Sequence, residues 1–244
     1  MENSGVQTVA RAFEILGCFR DGDALGVSEV ARRCGLAVST THRLMGSLVA
    51  AGFLDKDGSR YRVGGALTEF GQLAHRQYGA YRAEPHLELL ATTVGANASI
   101  AIRQAGDAVL VATSRWREAD GDRLQGIRLP VHASALGKAL LVWGETTEDL
   151  IDLLPYEGGT DRSVTGPDEL AAELDRTRRR GYAFNDEELD VGFRTIGLPV
   201  LRPDGTCRFA LGLRGPVALM TPERVPMYVE LARSTARDIA DALA

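Results

Sequence analysis

Side chains that could contact DNA are concentrated between residues 28 and 62. Hydroxyl, imidazole and guanidinium groups can approach base edges and phosphates, and an Arg facing a guanine is the commonest specific contact. We therefore expect Arg43 to read bases. Basic side chains on a hairpin usually contact phosphates, which fixes the register without reading sequence, and we assign this role to Lys56, Arg60 and Arg62. The candidate DNA contacts are Ser28, Ser39, Thr40, His42, Arg43, Ser47, Lys56, Arg60 and Arg62.

A second candidate site lies in the segment HASALGKALL, residues 132–141. It is not a Walker phosphate loop, because His132 stands where a glycine is required and Ala139 replaces the magnesium-binding Ser or Thr. The segment from Ser134 to Gly137 nevertheless opens a predicted helix, where free N–H groups and the helix dipole favour an anion. A plain capped helix without a ligand is the alternative.

The polar run 182–188 and the strand that follows it form a third candidate region. Asn185 and Asp186 could hydrogen-bond a ligand, whereas Glu187 and Glu188 could equally belong to a solvated acidic loop. We expect Arg194 to pair with Asp186 or Glu187 rather than with a ligand. Thr195 is a short hydroxyl beside apolar neighbours, which suits the wall of a pocket.

The sequence contains no convincing catalytic pattern. His132 and Ser134 are two residues apart, but no G-x-S-x-G nucleophile elbow surrounds the serine. Neither a glycine-rich dinucleotide fingerprint nor metal-ligand spacing occurs. The three cysteines Cys18, Cys34 and Cys207 are far apart, and we expect them to be buried, reduced thiols. We predict that the protein is not an enzyme and has no cofactor or metal; a small-molecule enzyme using His132 and Ser134 is the alternative.

The elements that must position the first set of residues read as a winged helix-turn-helix, a shape that places one helix in a DNA major groove. Ser28 is the expected N-cap of a first helix that ends at Gly35. The next helix carries a buried stripe at three-and-four spacing, and residues 53–63 then read as a basic hairpin. In that hairpin, alternation places Arg60 and Arg62 on one face and Tyr61 and Val63 on the other. The stripe is Thr41, Leu44, Met45 and Leu48. Two short helices in an ordinary all-α core are the alternative.

Two further helices flank this motif. The first spans residues 6–19 and is expected to bury Val9, Phe13, Leu16 and Phe19. The second follows the hairpin and carries a narrow apolar stripe, which either rests on its own domain or meets its copy in a dimer; we favour the dimer. This stripe consists of Leu67, Phe70, Ala74 and Tyr78. We place the domain boundary near residue 80.

The second part of the chain alternates helices and strands. Strands are predicted at 97–103, 108–114, 127–131, 193–201 and 207–214. Helices are predicted from Pro85, at 134–143, at 146–154 with a threonine cap, and from about Thr165 to Gly181. A last helix runs from Thr221, or from nearer Pro226, to Ala242. Residues 115–125 are read as a charged loop with Trp116.

Composition is that of an ordinary globular protein: 244 residues, 45% hydrophobic and 25% charged, with a net charge of −5. The first 80 residues hold nine Lys and Arg against eight Asp and Glu, so positive charge is local to the second helix and the hairpin. No apolar run approaches the length of a membrane span, and residues 1–19 lack a basic leader. We expect a cytoplasmic protein without a signal peptide.

Taken together, these segments resemble the IclR-type bacterial transcription regulators over nearly the whole chain. The resemblance is carried by VARAFEIL (9–16), VSEVARRCGLAVSTTHRLMGSLVAAGFL (27–54), YRVG (61–64), RLPVHASALGKALL (128–141), RRRGYAFNDEELDVGFRTIGLPV (178–200) and ALGLRGP (210–216). It implies a dimerising linker helix and a C-terminal GAF-like domain that binds small organic or aromatic acids. The pocket candidates it implies are Ser134, Ala135, Leu136, Asn185, Asp186 and Thr195. Many relatives have an acid in place of Asn185 and a cysteine in place of Thr195, and some have a smaller residue in place of Leu136.

We therefore predict a two-domain α+β protein. Residues 1–65 form the mainly α winged helix-turn-helix domain with its β-hairpin wing, residues 66–80 the linker and dimerisation helix, and residues 81–244 the α/β GAF-like effector-binding domain. The predicted function is a ligand-responsive transcriptional regulator that binds a palindromic operator as a homodimer or homotetramer. A sensor or interaction module without effective DNA binding is the alternative.

Overall fold

The computed structural model describes residues 4–114, 126–145 and 148–243. The predicted charged loop 115–125 with Trp116, and the predicted cap Thr146, lie outside the described residues. Contacts divide the chain into two compact units, Met1–Gln77 (unit 1) and Tyr78–Ala244 (unit 2). This division falls close to the predicted boundary and groups most of the predicted linker helix with unit 1.

Unit 1 contains four helices and a small antiparallel sheet of strand order β1-β3-β2 within the described residues. In chain order its elements are α1 (Ser4–Gly17), β1 (Leu25–Gly26), α2 (Val27–Arg33), α3 (Val38–Ala50), β2 (Leu54–Asp57), β3 (Arg60–Val63) and α4 (Gly65–Tyr78). Its core is formed by Ile15, Phe19, Leu25, Val30, Leu44, Met45, Leu54 and Tyr61. The predicted order of helix, turn, helix and hairpin is confirmed.

The start of α2 differs from its prediction. The helix begins at Val27. At its N-terminal end, the Gly26 N–H donates a hydrogen bond to Oε2 of Glu29 at 2.8 Å. Ser28 is therefore an exposed residue of the first turn and not the N-cap. Gly35 has a φ of +63°, as a helix stop of this kind requires.

The predicted buried face of the first helix is correct for Leu16 and Phe19 but wrong for Val9 and Phe13. Ile15 and Phe19 are buried, whereas Val9 and Phe13 are 56% and 65% exposed. A helix advances about 100° per residue, so Phe13 and Ile15 lie on nearly opposite faces. The sequence offers apolar residues on both faces, and periodicity alone does not tell which of them meets the core.

Unit 2 is built on a six-stranded antiparallel sheet of order β6-β5-β4-β9-β8-β7. Its helices are α5 (Glu84–Val94), α6 (Ala135–Trp143), α7 (Glu148–Asp152), α8 (Pro167–Arg180) and α9 (Val225–Leu243), and a short 3-10 turn spans Ala80–Arg82. Its strands are β4 (Asn97–Gln104), β5 (Asp107–Thr113), β6 (Arg128–Pro130), β7 (Ala183–Asp186), β8 (Phe193–Leu201) and β9 (Cys207–Pro216). The mixed α+β class is confirmed.

The two faces of this sheet carry separate cores. Ile100 and Ile102 belong to the core shared with α5 and α9, while Ala101 between them belongs to the core under α6. Phe209, Ala210 and Leu211 alternate in the same way. This alternation is the period of two expected of strands covered on both faces.

Two details of unit 2 differ from the predictions, and a third decides between the two predicted starts of the last helix. The polar run after Gly181 contains an edge strand, β7, which pairs with β8. The last helix begins at Val225, which places Pro226 in the first turn, where a missing N–H is tolerated. Helix α7 is shorter than the predicted 146–154.

Glycines bring α6 close to the sheet. Gly197 and Gly212 are directly opposite each other on β8 and β9. A Cβ on Gly197 would overlap the carbonyl oxygen of Ala135, and one on Gly212 would lie 3.0 Å from the Leu136 side chain. The absence of these two side chains therefore sets how closely the beginning of α6 approaches the strands.

Candidate DNA-binding surface and ligand cavity

Helix α3 presents the predicted DNA contacts on its outer face. Ser39, His42, Arg43 and Ser47 are exposed, and Thr40 is half-buried. The opposite face is fixed in the core by the buried side chains of Thr41, Leu44 and Met45. The helix is thus anchored from behind while its polar face is open to solvent, the arrangement that a recognition helix needs.

The hairpin of β2 and β3 places basic groups beside one another. Lys56, Arg60 and Arg62 are exposed, and Tyr61 is buried. Val63, which was predicted to share a face with Tyr61, is 49% exposed. The Lys56 ammonium lies 5.7 Å from the centre of the Tyr61 ring, so this cation lies beside a packed aromatic side chain.

Arg60 has a role within unit 1. Its guanidinium donates a hydrogen bond to the carbonyl oxygen of Ala24 and lies 3.9 Å from Oε2 of Glu29. The Gly26 N–H, with the arginines near it, lowers the pKa of Glu29 below its usual value. The structure therefore gives Arg60 partners inside the protein, whereas Arg62 has no ion pair in the part of the chain that the structure describes.

Two of the three cysteines are neighbours. The Sγ atoms of Cys18 and Cys34 are 3.3 Å apart, and both residues are only half-buried. The expectation of three separate buried thiols is thus correct only for the burial of Cys207. The sequence separation of 16 residues gave no sign of this contact.

In unit 2 a cavity of about 280 Å³ lies between the beginning of α6 and the sheet. We call it the α6 cavity. It is lined by Asn97, Ala98, Ser99, Leu110, Thr113, Ser114, Ile127, Arg128, Leu129, Pro130, Ser134, Ala135, Leu136, Asn185, Leu189, Asp190, Thr195 and Arg214. Five of the six predicted pocket residues are among them. The exception is Asp186, whose carboxylate pairs with the Arg194 guanidinium at 2.6 Å, in agreement with the expected role of Arg194.

The beginning of α6 supplies hydrogen-bond donors to this cavity. Ser134 is the N-cap, and its Oγ accepts the N–H of Gly137 at 3.1 Å. The N–H groups of Ala135 and Leu136 belong to the first turn, which an α-helix leaves without intrahelical partners. With the helix dipole, these groups favour an anionic ligand atom.

A row of four polar residues crosses the cavity floor. Asn185 is directly opposite Thr195 on β8, Thr195 is opposite Arg214 on β9, and Arg214 is opposite Asn97 on β4. Residues at opposite positions share a face of the sheet. All four line the α6 cavity. We call them the polar row.

Sequence reasoning missed the half of this row contributed by Asn97 and Arg214. Nothing in their residue types indicated a place in a pocket. The two residues become neighbours only because the strands that carry them, about a hundred residues apart in the chain, pair in the sheet. The Arg214 guanidinium donates to Oδ2 of Asp190 at 2.8 Å and lies 4.2 Å from the centre of the Phe193 ring. Its charge is therefore balanced within the cavity wall.

Asn185 was predicted to hydrogen-bond a ligand, but its side-chain amide hydrogen-bonds to the protein backbone. It is 2% exposed; its Nδ2 donates to the Ala133 carbonyl, and its Oδ1 accepts the Glu188 N–H at 3.2 Å. The side chain thus joins the segment before α6 to the segment after β7. This supports the cavity wall and leaves Thr195 as the better candidate for a direct ligand contact.

A buried ion pair that the sequence analysis did not identify lies behind the cavity. The Lys138 side chain is fully buried, with Nζ 2.6 Å from Oε2 of Glu188, 3.6 Å from Oε1 of Glu173 and 3.1 Å from the Phe184 carbonyl oxygen. Glu188 therefore does not belong to a solvated loop. Burial, with the nearby Glu173, raises the pKa of Glu188 above its usual value despite the attraction of Lys138.

The pKa of Glu173 is shifted in the opposite direction from that of Glu188. Burial acts to raise its pKa, but Lys138, Arg176 and Arg180 outweigh this effect and lower it. Arg176 and Arg180 each reach Glu173 at 2.8 Å. The cluster joins α6, α8 and the segment 187–190 that brings Leu189 and Asp190 to the cavity.

His132 is buried beside the ring of Tyr156. It is 1% exposed, its ring centre is 5.3 Å from that of Tyr156, and its Nε2 has no hydrogen-bond partner among the described residues. Burial and, to a smaller extent, Lys138 lower the pKa of His132. Because Ser134 Oγ accepts the Gly137 N–H, the two side chains serve the local fold and form no nucleophile–base pair in the described structure.

Two kinds of feature are absent from residues 4–114, 126–145 and 148–243. No helix in them is long and apolar enough to cross a membrane. Nor do their His, Cys, Asp and Glu side chains form a group of three or more that could hold a metal ion.

Comparisons with known proteins give consistent matches along the chain. The family model described as IclR helix-turn-helix domain matches residues 8–58, and the model described as bacterial transcriptional regulator IclR C-terminal matches residues 73–241. The HTH-type transcriptional repressor AllR of Salmonella typhi is 31% identical over 98% of this chain and 90% of its own length. The HTH-type transcriptional regulator BhcR of Paracoccus denitrificans is 29% identical over 100% of this chain and 89% of its own.

A solved structure adds a bound ligand to these matches. The IclR homolog of Microbacterium hydrocarbonoxydans, crystallised with 4-hydroxybenzoate, superposes with a TM-score of 0.77 at 28% identity. The match covers 97% of this chain and 98% of that one.

Proposed function

This chain belongs to the IclR family of bacterial transcriptional regulators, and we propose that α3 reads its operator while a small acid in the α6 cavity controls the affinity. Its relatives are regulators and repressors, so it is a DNA-binding regulator and not an enzyme. The observation that carries the proposed reading mode is the exposure of His42 and Arg43 on a helix whose opposite face is buried.

The wing is the proposed contact to the DNA backbone. Lys56 and Arg62 extend from the hairpin as exposed cations, and phosphate contacts of this kind position a protein without specifying sequence. Arg60 contributes less, because its guanidinium already bonds to Ala24. Ser28 adds an exposed hydroxyl in the first turn of α2.

Self-association is the proposed reason for the exposed apolar side chains of unit 1. Val6, Val9 and Phe13 on α1 are between 56% and 65% exposed. Leu67, Phe70 and Leu73 on α4 are between 37% and 57% exposed. Apolar surface of this kind marks an interaction site, and a two-fold dimer would place two copies of α3 on a palindromic operator.

The proposed effector is a small organic or aromatic acid. A cavity of about 280 Å³ suits a compact molecule. The N–H groups at the start of α6 would receive its carboxylate, and Thr195 offers a hydroxyl on the sheet side. The ligand found in the Microbacterium relative, 4-hydroxybenzoate, has this chemistry and is a reasonable first probe.

Control would follow from unequal affinity of the effector for the DNA-binding and non-binding arrangements. A ligand shifts such an equilibrium by its difference in affinity and no further, and operator DNA must change effector affinity by the same factor. A regulator of this kind acts on chromosomal DNA, so we place it in the cytoplasm.

Two measurements test the proposal. In a gel-shift titration, the protein should retard a duplex from the region upstream of its own gene more strongly than a scrambled duplex of equal length. In a thermal-shift screen of small carboxylates and aromatics, at least one acid should raise the melting temperature and change operator affinity. A stabilising ligand without operator binding would instead favour a sensor module. The absence of both operator binding and ligand stabilisation would refute the proposal.

A further inference from the structure

Cys18 and Cys34 lie on two segments that determine how α3 is held. Cys18 follows α1, and Cys34 is the C-cap residue of α2, immediately before the turn that leads into α3. Their Sγ atoms are 3.3 Å apart, whereas Cys207 lies on β9 in the other unit. Both residues of the pair are partly exposed, so a small reagent can reach them.

We infer that Cys18 and Cys34 are a site of reversible oxidation, at which a hydroperoxide converts the two thiols into an intramolecular disulfide that weakens operator binding. One thiolate attacks the peroxide oxygen, giving a sulfenic acid and releasing water or an alcohol. The second thiol then attacks the sulfenic sulfur, forming the S–S bond and releasing water. Two thiols are oxidised and one peroxide is reduced, so the exchange balances.

The geometry favours this pair over any other. A disulfide bond is about 2.05 Å long, so the sulfurs need to approach by little more than 1 Å. The bond would close a loop of sequence separation 16 that contains β1 and α2. It would also pull the end of α2 toward α1 and shift the turn from Gly35 to Ala37, which sets the start of α3.

The surroundings of the pair indicate a slow, pH-dependent reaction. Burial, followed by the neighbouring Cys18 and the Glu14 carboxylate, raises the pKa of Cys34 to about 11. Cys18 Sγ also lies 3.6 Å from the Glu14 carbonyl oxygen, and Arg33 donates to the Cys18 carbonyl at 3.1 Å. Since thiolates are the reacting species, disulfide formation should accelerate as the pH is raised from 7 to 9.

The chemical test uses the full-length protein and hydrogen peroxide as the probe. After treatment, remaining thiols are blocked with N-ethylmaleimide and a non-reduced digest is examined by mass spectrometry. We expect a Cys18–Cys34 linked peptide pair, with reactive thiols falling from three to one. Cys207→Ser should keep the link, and Cys34→Ser should abolish it. Unreacted thiols, or links that involve Cys207 or a second chain, would overturn the inference.

The functional test compares operator binding by the reduced, oxidised and re-reduced protein. We expect about fivefold or greater weakening on oxidation, at the lower end of typical allosteric couplings, with recovery after dithiothreitol. Cys34→Ser should be insensitive to peroxide. Unchanged affinity of the oxidised protein would overturn the link to DNA binding. The expected effect on operator binding rests on the proposed function, whereas detection of the Cys18–Cys34 disulfide by mass spectrometry does not. Failure of the disulfide to form can therefore be distinguished from failure of the proposed function.

Discussion

The Nζ atom of Lys138 lies 2.6 Å from Oε2 of Glu188, and the lysine side chain is completely shielded from solvent. Lys138 belongs to the helix whose first turn opens on the α6 cavity, and Glu188 directly precedes two residues of the cavity wall. The pair therefore joins the donor side of the cavity to the segment that closes it.

Lys138→Met should strongly destabilise unit 2. The substitution leaves the carboxylates of Glu188 and Glu173 buried without their shared cation. Removing one member of a buried pair costs about 3–5 kcal/mol. Denaturant unfolding followed by circular dichroism measures the change.

An exposed ion pair on α8 provides a control for the buried pair of Lys138 and Glu188. Arg178 and Asp175 form an ion pair at 2.8 Å whose side chains are 59% and 60% exposed. Asp175→Ala should cost no more than about 1 kcal/mol, because solvent screens such pairs. Equal stability of Lys138→Met and the parent would contradict the role given to this lysine.

Gly197→Ala should be more damaging than Gly212→Ala. The new Cβ at 197 meets the backbone oxygen of Ala135, which cannot move without displacing α6, whereas the Cβ at 212 meets the flexible side chain of Leu136. Overpacking costs about 1–3 kcal/mol, and we expect Gly197→Ala at or above the upper end. Thermal unfolding of the two variants checks the order; the reverse order would refute the account of how α6 is seated.

Thr195→Val should weaken effector binding while leaving the fold intact. The change keeps the shape of the side chain and removes its hydroxyl from the polar row. A lost hydrogen bond of about 1 kcal/mol corresponds to roughly fivefold weaker binding. Calorimetric titration would use the acid with the largest thermal shift, beginning with 4-hydroxybenzoate. Thr206→Val, in the exposed β8–β9 turn, serves as the control, and equal affinities for all three proteins would exclude Thr195 as a contact.

Unit 2 should lose stability through His132 as the solution becomes acidic. Because burial lowers the pKa of His132 from 6.5, the fold favours its neutral form. Its contribution is complete above pH 6.5 and is lost as the pH falls below that value, where the unfolded chain takes up the proton first. His132→Phe should therefore show a smaller drop in melting temperature between pH 7.5 and 5.5. Groups common to both proteins, such as Glu188, cancel in the comparison; identical pH profiles would refute this role for His132.

Local patterns were sufficient to predict the framework of unit 1. The three-and-four spacing of Thr41, Leu44 and Met45 fixes which face of α3 is buried, and so which face carries Arg43. The same reasoning was correct for Leu16 and Phe19 but failed for Val9 and Phe13, which resemble core residues although they are exposed. Hydrophobic periodicity does not distinguish an apolar face that is buried in the core from one that is exposed.

Features that depend on strand register or on a distant partner were not accessible from the sequence. Arg214 belongs to the polar row because the pairing of β9 with β4 places it opposite Asn97, and the pairing of β9 with β8 places it opposite Thr195. The sequence analysis assigned no role to Lys138, whose partner Glu188 lies 50 residues away along the chain. Asp186 was assigned to the cavity from the polar run and from the family resemblance, but it lies directly opposite Arg194 on the neighbouring strand and pairs with it instead.

We propose that Arg43 on α3 reads bases and that the wing supplies sequence-independent contacts. The most direct test is fluorescence anisotropy at fixed salt, comparing a duplex from the upstream region with a scrambled duplex. Arg43→Ala should lose about 1–3 kcal/mol of discrimination, or roughly 5- to 150-fold in the ratio of affinities. Arg62→Ala should weaken both complexes equally and reduce the salt dependence by about one counterion. If Arg43→Ala kept the parent's ratio for the two duplexes, the assignment of α3 as the reading helix would be wrong.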